Sequence, residues 1–504
     1  MNLIWFSLIV FSISAGVKYT KADNVLLLSW PYFSHLQSLA YVGSELSKYG
    51  HTSYFPMPDK MAKMFQSFKG VELLKMKDDH NVNKFFETTL NYFLSGNSTM
   101  KDIFEIMDEV CDNLLLDEDW FQYLKKVNAS IAVIDFVFMS NCLAIIPYRL
   151  SIPFVFLGIN PGPPILSRDP WLPAVFTSIG FQDPNKITFF QRLKGAVGAY
   201  YMYFAKPRGM PSRSVKEYAP EKPDISFRSL LHQAELYLTE TDFLLSQPLP
   251  ALPNVKYIGG VSTRKAAPLE GDVKKFVEKS KNGLIVVSFG SIVSKVPEEH
   301  IQKMEMAFKA IKYDVIWKLS PSKYLAPNIF VTKWLPQNDL LGHPKTKLFI
   351  THCGSNGQFE ALYHGVPMLG FPVFADQFHN GHRMQVKGYG ISMDMFNYTK
   401  DELVSTINEL IVNPKYKNKI KQASEIFRSR PESPAAKGAR YIDNVIKYGG
   451  NYIRSPFQSM PLYQFLMLDI YAVFLTVIIV SLCLVKFVIQ KCYRCCCVKK
   501  KKMD

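Results

Sequence analysis

The earliest residue in the chain that could do chemistry is a histidine at the end of a first apolar run. Val25 to Leu28 is continuous and apolar, Pro31 breaks it, and His35 follows Ser34. An imidazole with an ordinary pKa near 6.5 can take a proton from a substrate near neutral pH. Asp135 closes a second apolar run, Ile131 to Ile134. The densest cluster lies from Lys333 to Asn380. It holds Trp334, Gln337, Asn338, Asp339 and His343, then Thr351, His352, Cys353, Gly354, Ser355, Asn356 and Gly357, then Glu360, Gly365, Pro367, Asp376 and Gln377. A strand pattern over 346–351 runs into His352, and a helical pattern opens near Ser355. The free backbone N–H groups and positive dipole end of such a helix suit a pyrophosphate.

Two sets of alternating elements must position these residues. In the first, the spacing predicts a strand over 24–30, a helix over 35–48 ended by Tyr49 and Gly50, and a strand over 52–55. That is a strand–helix–strand unit in about 30 residues. Short buried strands return at 130–138 and 152–157, while 160–230 is rich in proline and aromatics with poor periodicity. In the second set, strands are expected at 284–288, 315–319, 346–351, 368–371 and 391–395. Helices are expected at 297–311, 355–364, 377–387 and 401–412, and the stretch 249–281 reads as a linker. A length of 504 residues accommodates two such doubly wound domains facing a cleft.

The segment from Trp334 to Gln377 resembles the donor-binding signature of the UDP-glycosyltransferases, inverting enzymes of the GT-B fold. More narrowly, the chain resembles their membrane-anchored animal branch, the UDP-glucuronosyltransferase-like proteins. The resemblance implies an α/β GT-B architecture of two Rossmann-like domains with a C-terminal transmembrane helix. It implies that His35 is the general base and that Asp135 orients it. It implies that His352 contacts a donor phosphate, with Gly354 and the backbone or side chains of Ser355 and Asn356 completing the cradle and Ser291 adding a further phosphate contact. Trp334 would stack on uracil with Gln337 beside the base, Glu360 would accept from the ribose hydroxyls, and Asp376 and Gln377 would read the sugar. The family usually has glycine where Cys353 stands. If the position needs a positive φ, cysteine is a cost; if it needs only a small side chain, cysteine fits.

The two ends of the chain set its address. The run 470–485 has no charged residue, and an apolar helix of about 20 residues spans a hydrocarbon core of about 30 Å. Seven Lys and Arg residues against one acid lie in 486–504, which places the C-terminus in the cytosol. A sizeable part of the formal net charge of +16 belongs to this tail. The remainder shows no clustered basic stripe, which argues against nucleic-acid binding. Apolar 3–13 followed by Ser14, Ala15, Gly16 and Ala22 reads as a cleaved signal. The expected organisation is a signal peptide over 1–22, an acceptor-binding domain over 23–265 and a UDP-sugar-binding domain over 266–448. A membrane-proximal segment over 449–468, a transmembrane helix over 469–489 and a basic tail over 490–504 follow. Lys501 and Lys502 resemble a dilysine retrieval signal, so the expected location is the endoplasmic-reticulum membrane, type I, with both domains lumenal.

Candidate N-glycosylation sites are Asn97, Asn128 and Asn397, each in an Asn-x-Ser/Thr triplet. Cys111, Cys142 and Cys353 are too few for a disulfide scaffold, and Cys492, Cys495, Cys496 and Cys497 beside the membrane suit palmitoylation. No Asp-x-Asp motif stands in a metal-binding context, so no cofactor or metal is expected beyond the UDP-sugar itself. Glucuronate-using members tend to carry Arg before the Pro-Asn of the linker. Here Gln247 to Asn254 has none, which favours UDP-glucose over UDP-glucuronate. The expected partners are a UDP-sugar and a small lipophilic hydroxyl compound bound by 60–125 and 160–230, with homo-oligomerisation open. The rival readings are UDP-galactose transfer to a sphingolipid-type lipid and an inactive UDP-sugar-binding protein of the same fold.

Overall fold

Strands buried on both faces read as continuous apolar runs, and such runs build both centres of this computed structural model. It describes residues 22–76, 84–85, 87–88, 91–92, 99–158, 168, 187–204, 211–248, 250–290, 298–319 and 323–500. The chain divides into two units, 1–454 and 455–504.

The first unit holds two seven-stranded sheets. The first runs β3 (Val71–Lys75), β2 (Thr52–Met57), β1 (Asn24–Leu28), β4 (Ile131–Asp135), β5 (Phe154–Gly158), β6 (Tyr237–Thr239), β7 (Val255–Tyr257). All its pairings are parallel, with Val25 opposite Ile131 and Leu28 opposite Ile134. The second sheet runs β10 (Lys323–Ala326), β11 (Ile329–Thr332), β9 (Asp314–Lys318), β8 (Leu284–Ser288), β12 (Thr346–Thr351), β13 (Met368–Gly370), β14 (Gly390–Ser392). It too is parallel, except for the β10–β11 hairpin at its edge.

Side-chain alternation divides each strand between two cores. Leu26 and Leu28 enter one face of the first sheet, and Val25 and Leu27 the other. Ile285 and Val287 oppose Leu284 and Val286 in the second.

Several boundaries differ from the sequence reading. The first helix is Phe33–Leu46, not 35–48, because Tyr32 is the N-cap and its carbonyl accepts from His35 and Leu36 at 3.0 and 2.9 Å. His35 therefore stands in the first helical turn. The second strand of the inner pair stops at Asp135, since Phe138–Ala144 winds into a short 3₁₀ helix. The stretch read as a linker contains β7, which completes the first sheet, and a helix, Gly271–Lys279. Strand β14 is shorter than the expected 391–395. Cys111 on the helix Met100–Leu115 forms a disulfide with Cys142 of the 3₁₀ helix. By loop-closure entropy a bridge of this span contributes about 3–4 kcal/mol. The count argument against a scaffold is compatible with this single bridge.

The helix Pro434–Tyr448 follows the second sheet in sequence but packs on the first. Its Ala435, Ala439, Ile442 and Val445 lie in the core with Val25, Leu27 and Val42. His51 Nε2 meets Asp443 Oδ1 at 3.0 Å, and both side chains are buried. The end of the sequence segment 266–448 thus returns to the first domain.

The second unit carries the helix Leu468–Lys500. Within it Leu468–Arg494 is long and apolar enough to cross a membrane. That is a longer apolar stretch than the expected 469–489. The signal segment up to residue 21, Asn97, Ser291 and the residues Lys501 and Lys502 lie outside the described residues.

Candidate active site

In open parallel sheets, ligands bind beyond the carboxyl ends of the strands where the strand order reverses. The first sheet reverses between β1 and β4, and the second between β8 and β12. His35 follows β1 and Asp135 ends β4; Gly290 follows β8 and His352 follows β12.

On the first sheet, His35 Nδ1 lies 3.0 Å from Asp135 Oδ1, with the two side chains 17% and 0% exposed. Asp135 Oδ2 accepts from the Ser29 and Ser140 hydroxyls, both at 3.2 Å. The carboxylate is thereby satisfied without water, and its orientation is fixed from three sides. Gly158 at the end of β5 must be glycine. Its φ is 152°, and a Cβ there would sit 2.9 Å from Asp135 Oδ1 and from the Phe136 nitrogen. Burial alone would lower the His35 pKa, but the charge and hydrogen bond of Asp135, with Glu240 and Asp376 further off, carry it up. The Tyr32 ring packs 5.7 Å from the imidazole, and Phe85 packs edge-on to Tyr32. An aromatic wall therefore stands beside the histidine.

On the second sheet, the helix Ser355–His364 begins after Gly354 with no side-chain cap. Its first N–H groups are left for a ligand or water. The His352 ring lies between two glycines: a Cβ at Gly290 or Gly354 would fall 2.7 or 2.5 Å from it. Burial pushes the His352 pKa down to about 4, so the ring is neutral at physiological pH. Lys318 Nζ donates to the Gly290 carbonyl at 3.0 Å and lies 4.7 Å from the centre of the Trp334 ring. Trp334 is 53% exposed. Gln337 Nε2 donates to Glu360 Oε2 at 2.6 Å, and burial pushes the Glu360 carboxyl up to about 7. Asp376 accepts from Asn380 at 2.6 Å.

Two residues expected on the donor side also make contacts within the protein. Gln377 Oε1 accepts from the backbone of Val373 and Phe374 at 2.9 and 3.1 Å. Its oxygen therefore shapes its own loop, and only its amide N–H₂ is left to face a sugar. Asn356 Nδ2 donates to the Ser34 carbonyl at 3.2 Å, so its side chain ties the two halves together and its backbone N–H is the part left for the cradle.

The same junction recurs at other points. Phe33 meets Trp334 edge-on at 5.5 Å, and Asp376 acts electrostatically on His35. The segment from Phe33 to His35 is therefore where the second sheet's loops meet the first. Arg264 donates to the Tyr41 hydroxyl and pairs Asp339 through two bonds of 2.6 and 3.0 Å.

Cys353 has a φ of 66°. Its thiol, buried and pushed up to about 12, faces Gly370 and Gly381. Both earlier alternatives hold together: the position is left-handed, and the space around it is small.

The sequence reading did not single out Arg383, Gln358, Glu240 or the Asp135 partners Ser29 and Ser140. Arg383 is buried, bonds Gln358 Oε1 at 3.1 and 3.0 Å and reaches Ser355 Oγ at 3.5 Å. A buried arginine is rare without a partner, but an isolated Arg in a helix gives no such signal in sequence.

Known proteins resemble the chain in sequence and in fold. The chain is 30% identical to UDP-glucuronosyltransferase 2B17 of Rattus norvegicus, covering 99% of each chain. It is 30% identical to UDP-glucuronosyltransferase 3A1 of Homo sapiens over 92% of each. Its fold matches a UDP-glucosyltransferase from Polygonum tinctorium with a TM-score of 0.60 at 16% identity, over 85% of this chain and 99% of that one. The fold is GT-B, and the protein is a UDP-glycosyltransferase of the UDP-glucuronosyltransferase type. Residues 35–503 match the UDP-glucoronosyl and UDP-glucosyl transferase family, and the chain belongs to it.

Proposed function

We propose that the protein transfers a hexose from a UDP-sugar to a hydroxyl of a small lipophilic acceptor, with inversion at the anomeric carbon. The observation that carries this reading is the His35–Asp135 pair, buried beside an aromatic wall and facing the loops of the second sheet. Asp135 holds Nδ1, which leaves Nε2 to take the acceptor proton. The deprotonating oxygen attacks the anomeric carbon, and UDP departs in line. The uncapped Ser355 helix, neutral His352 and Lys318 receive the leaving charge. Trp334 offers an exposed face to uracil, and Glu360, held by Gln337, accepts from the ribose. Asp376 and the Gln377 amide read the sugar. Turnover persists in EDTA under this reading, and its loss on chelation contradicts it.

The missing arginine between Gln247 and Asn254 favours glucose, while the relatives' names favour glucuronate. Competition between the two nucleotide sugars decides. The apolar helix, the exposed Asn128 and Asn397 and the Cys111–Cys142 bridge support a lumenal, membrane-anchored body. The endoplasmic reticulum is the compartment we assign.

The experiment is turnover in microsomes holding the protein, with UDP-glucose or UDP-glucuronate and a panel of phenols. Glycoside is expected with at least one donor and is lost in His35→Ala. No product with either donor, or full activity in His35→Ala, overturns the mechanism.

A further inference from the structure

Glu240 is a buried acid that the transfer chemistry above leaves unused. It follows β6, is 4% exposed, and its Oε2 has no hydrogen-bond partner among the described residues. Buried polar atoms in folded proteins are nearly always satisfied, so an exception calls for a reason. A neutral or apolar side chain would fill the same place without leaving an acid unmatched.

Its position supplies the reason. The strand order β1, β4, β5, β6 sets Ser29, Asp135, Gly158 and Glu240 in a row along the carboxyl edge of the first sheet. The Glu240 N–H donates to the Gly158 carbonyl at 2.8 Å, which fixes its backbone. β4 and β6 lie two strand spacings apart, about 10 Å. Gly158 between them has no side chain, and a Cβ there would strike Asp135. The gap between the two carboxylates is thus left open at the sheet edge.

The first helix closes it. His35 and Ser38 are three residues apart and share a helix face. His35 bonds Asp135, and Ser38, whose hydroxyl donates to the Ser34 carbonyl at 3.4 Å, sits beside Glu240 and holds its carboxyl down. One helix face bridges both acids.

We propose that Glu240 is a positioning residue for proton transfer, a second carboxylate that stabilises the His35 imidazolium formed during the reaction. The inference rests on the assignment of His35 as the base. In that step the acceptor O–H bond breaks, the proton moves to His35 Nε2, and the oxygen's electron pair forms the new glycosidic bond. The anomeric carbon–phosphate oxygen bond breaks, and its pair leaves with UDP. The positive ring then lies between Asp135 at Nδ1 and the field of Glu240. The charged groups that face His35 are Asp135, Glu240 and, from the second sheet's loops, Asp376, with the Tyr32 ring packed against it. Those that face Glu240 are His35 and Asp135. Burial pushes the Glu240 carboxyl up, Ser38 and the nearby His35 charge draw it part of the way back, and the result is about 7. Glu240 therefore ionises most readily when His35 is charged.

The test is the pH profile of kcat/KM for the full-length membrane-bound enzyme, wild type against Glu240→Gln, Glu240→Ala and Glu240→Asp. The donor is whichever UDP-sugar supports turnover, and the acceptor is a phenol. An anion removed from beside an imidazole lowers its pKa, so the basic form persists to lower pH. Both neutral variants are expected to move the acid limb down by about one pH unit and to lower plateau kcat about tenfold. KM for the UDP-sugar stays unchanged, and Glu240→Asp retains the wild-type limb. An unmoved limb in neutral variants that bind UDP normally overturns the proposal. If His35→Ala is dead while that limb stays fixed, only the role of Glu240 fails. If His35→Ala is active, the base assignment fails with it.

Discussion

Two histidines stand at the reversal points of the two sheets, and their surroundings push them in opposite directions. His35 faces Asp135 at 3.0 Å, and its pKa is carried up. His352 lies between Gly290 and Gly354, and burial carries it down to about 4. The charge that acts on His352 is the Lys318 cation rather than a carboxylate. Residue type is the same in both places, so the difference comes from what each sheet end supplies. The first supplies an anion and so builds a group that can take and hold a proton. The second supplies a neutral ring, a cation and unpaired N–H groups, and so builds a place for an incoming anion.

The largest expected effect follows from removing the anion at the first centre. Asp135→Asn leaves the shape but loses the charge and the imposed tautomer. We expect kcat to fall about 10³–10⁴-fold. The sign of the pH effect is also fixed. Because the His35 pKa is raised, its basic form appears only as pH climbs, and the wild-type acid limb of kcat/KM lies above 6.5. In Asp135→Asn the residual activity has its limb at lower pH. A steady-state profile with both proteins checks this, and identical limbs contradict it.

A smaller and different effect is expected at the second centre. His352→Ala removes one partner of a charged ligand, which typically costs about 1.5–3 kcal/mol. Calorimetric titration with UDP should show affinity reduced about 10- to 100-fold. The same measurement on Asp135→Asn should return the wild-type value. Equal loss in both variants would erase the division of labour between the sheets.

The smallest effect is expected at Cys353, the residue after His352. A left-handed φ costs a non-glycine residue about 1–2 kcal/mol, and glycine would relieve it. The thiol fills space against Gly370 and Gly381, and its removal forfeits about 1 kcal/mol of buried contact. The terms nearly cancel, so Cys353→Gly should shift the thermal midpoint by no more than about 3 °C. A drop well beyond that would mean the sulfur is essential to the cradle's packing.

How much of this was legible in the sequence depends on how local the cause was. β1, β4, β5, β8 and β12 stand out because strands buried on both faces need unbroken apolar runs, and those runs end at the residues that carry the chemistry. β6 and β7 are three residues each, too short to show a period, so their sheet partners were invisible. The return of Ala435, Ala439, Ile442 and Val445 to the first core depends on tertiary packing that no local pattern encodes. His35, Asp135, His352 and Glu360 were visible through a resemblance, and the structure adds what surrounds them. Glu240 was hidden in a polar stretch, Thr239 to Asp242, that reads as ordinary loop. Only its burial beside His35 sets it apart.

The most direct test of the central claim is a paired measurement on His35→Ala: its affinity for UDP and its rate of glycoside formation. If the first sheet end handles the proton and the second holds the donor, UDP binds as in wild type while turnover falls by at least about 10²-fold. Turnover close to wild type, or an affinity for UDP that falls together with it, would contradict the account.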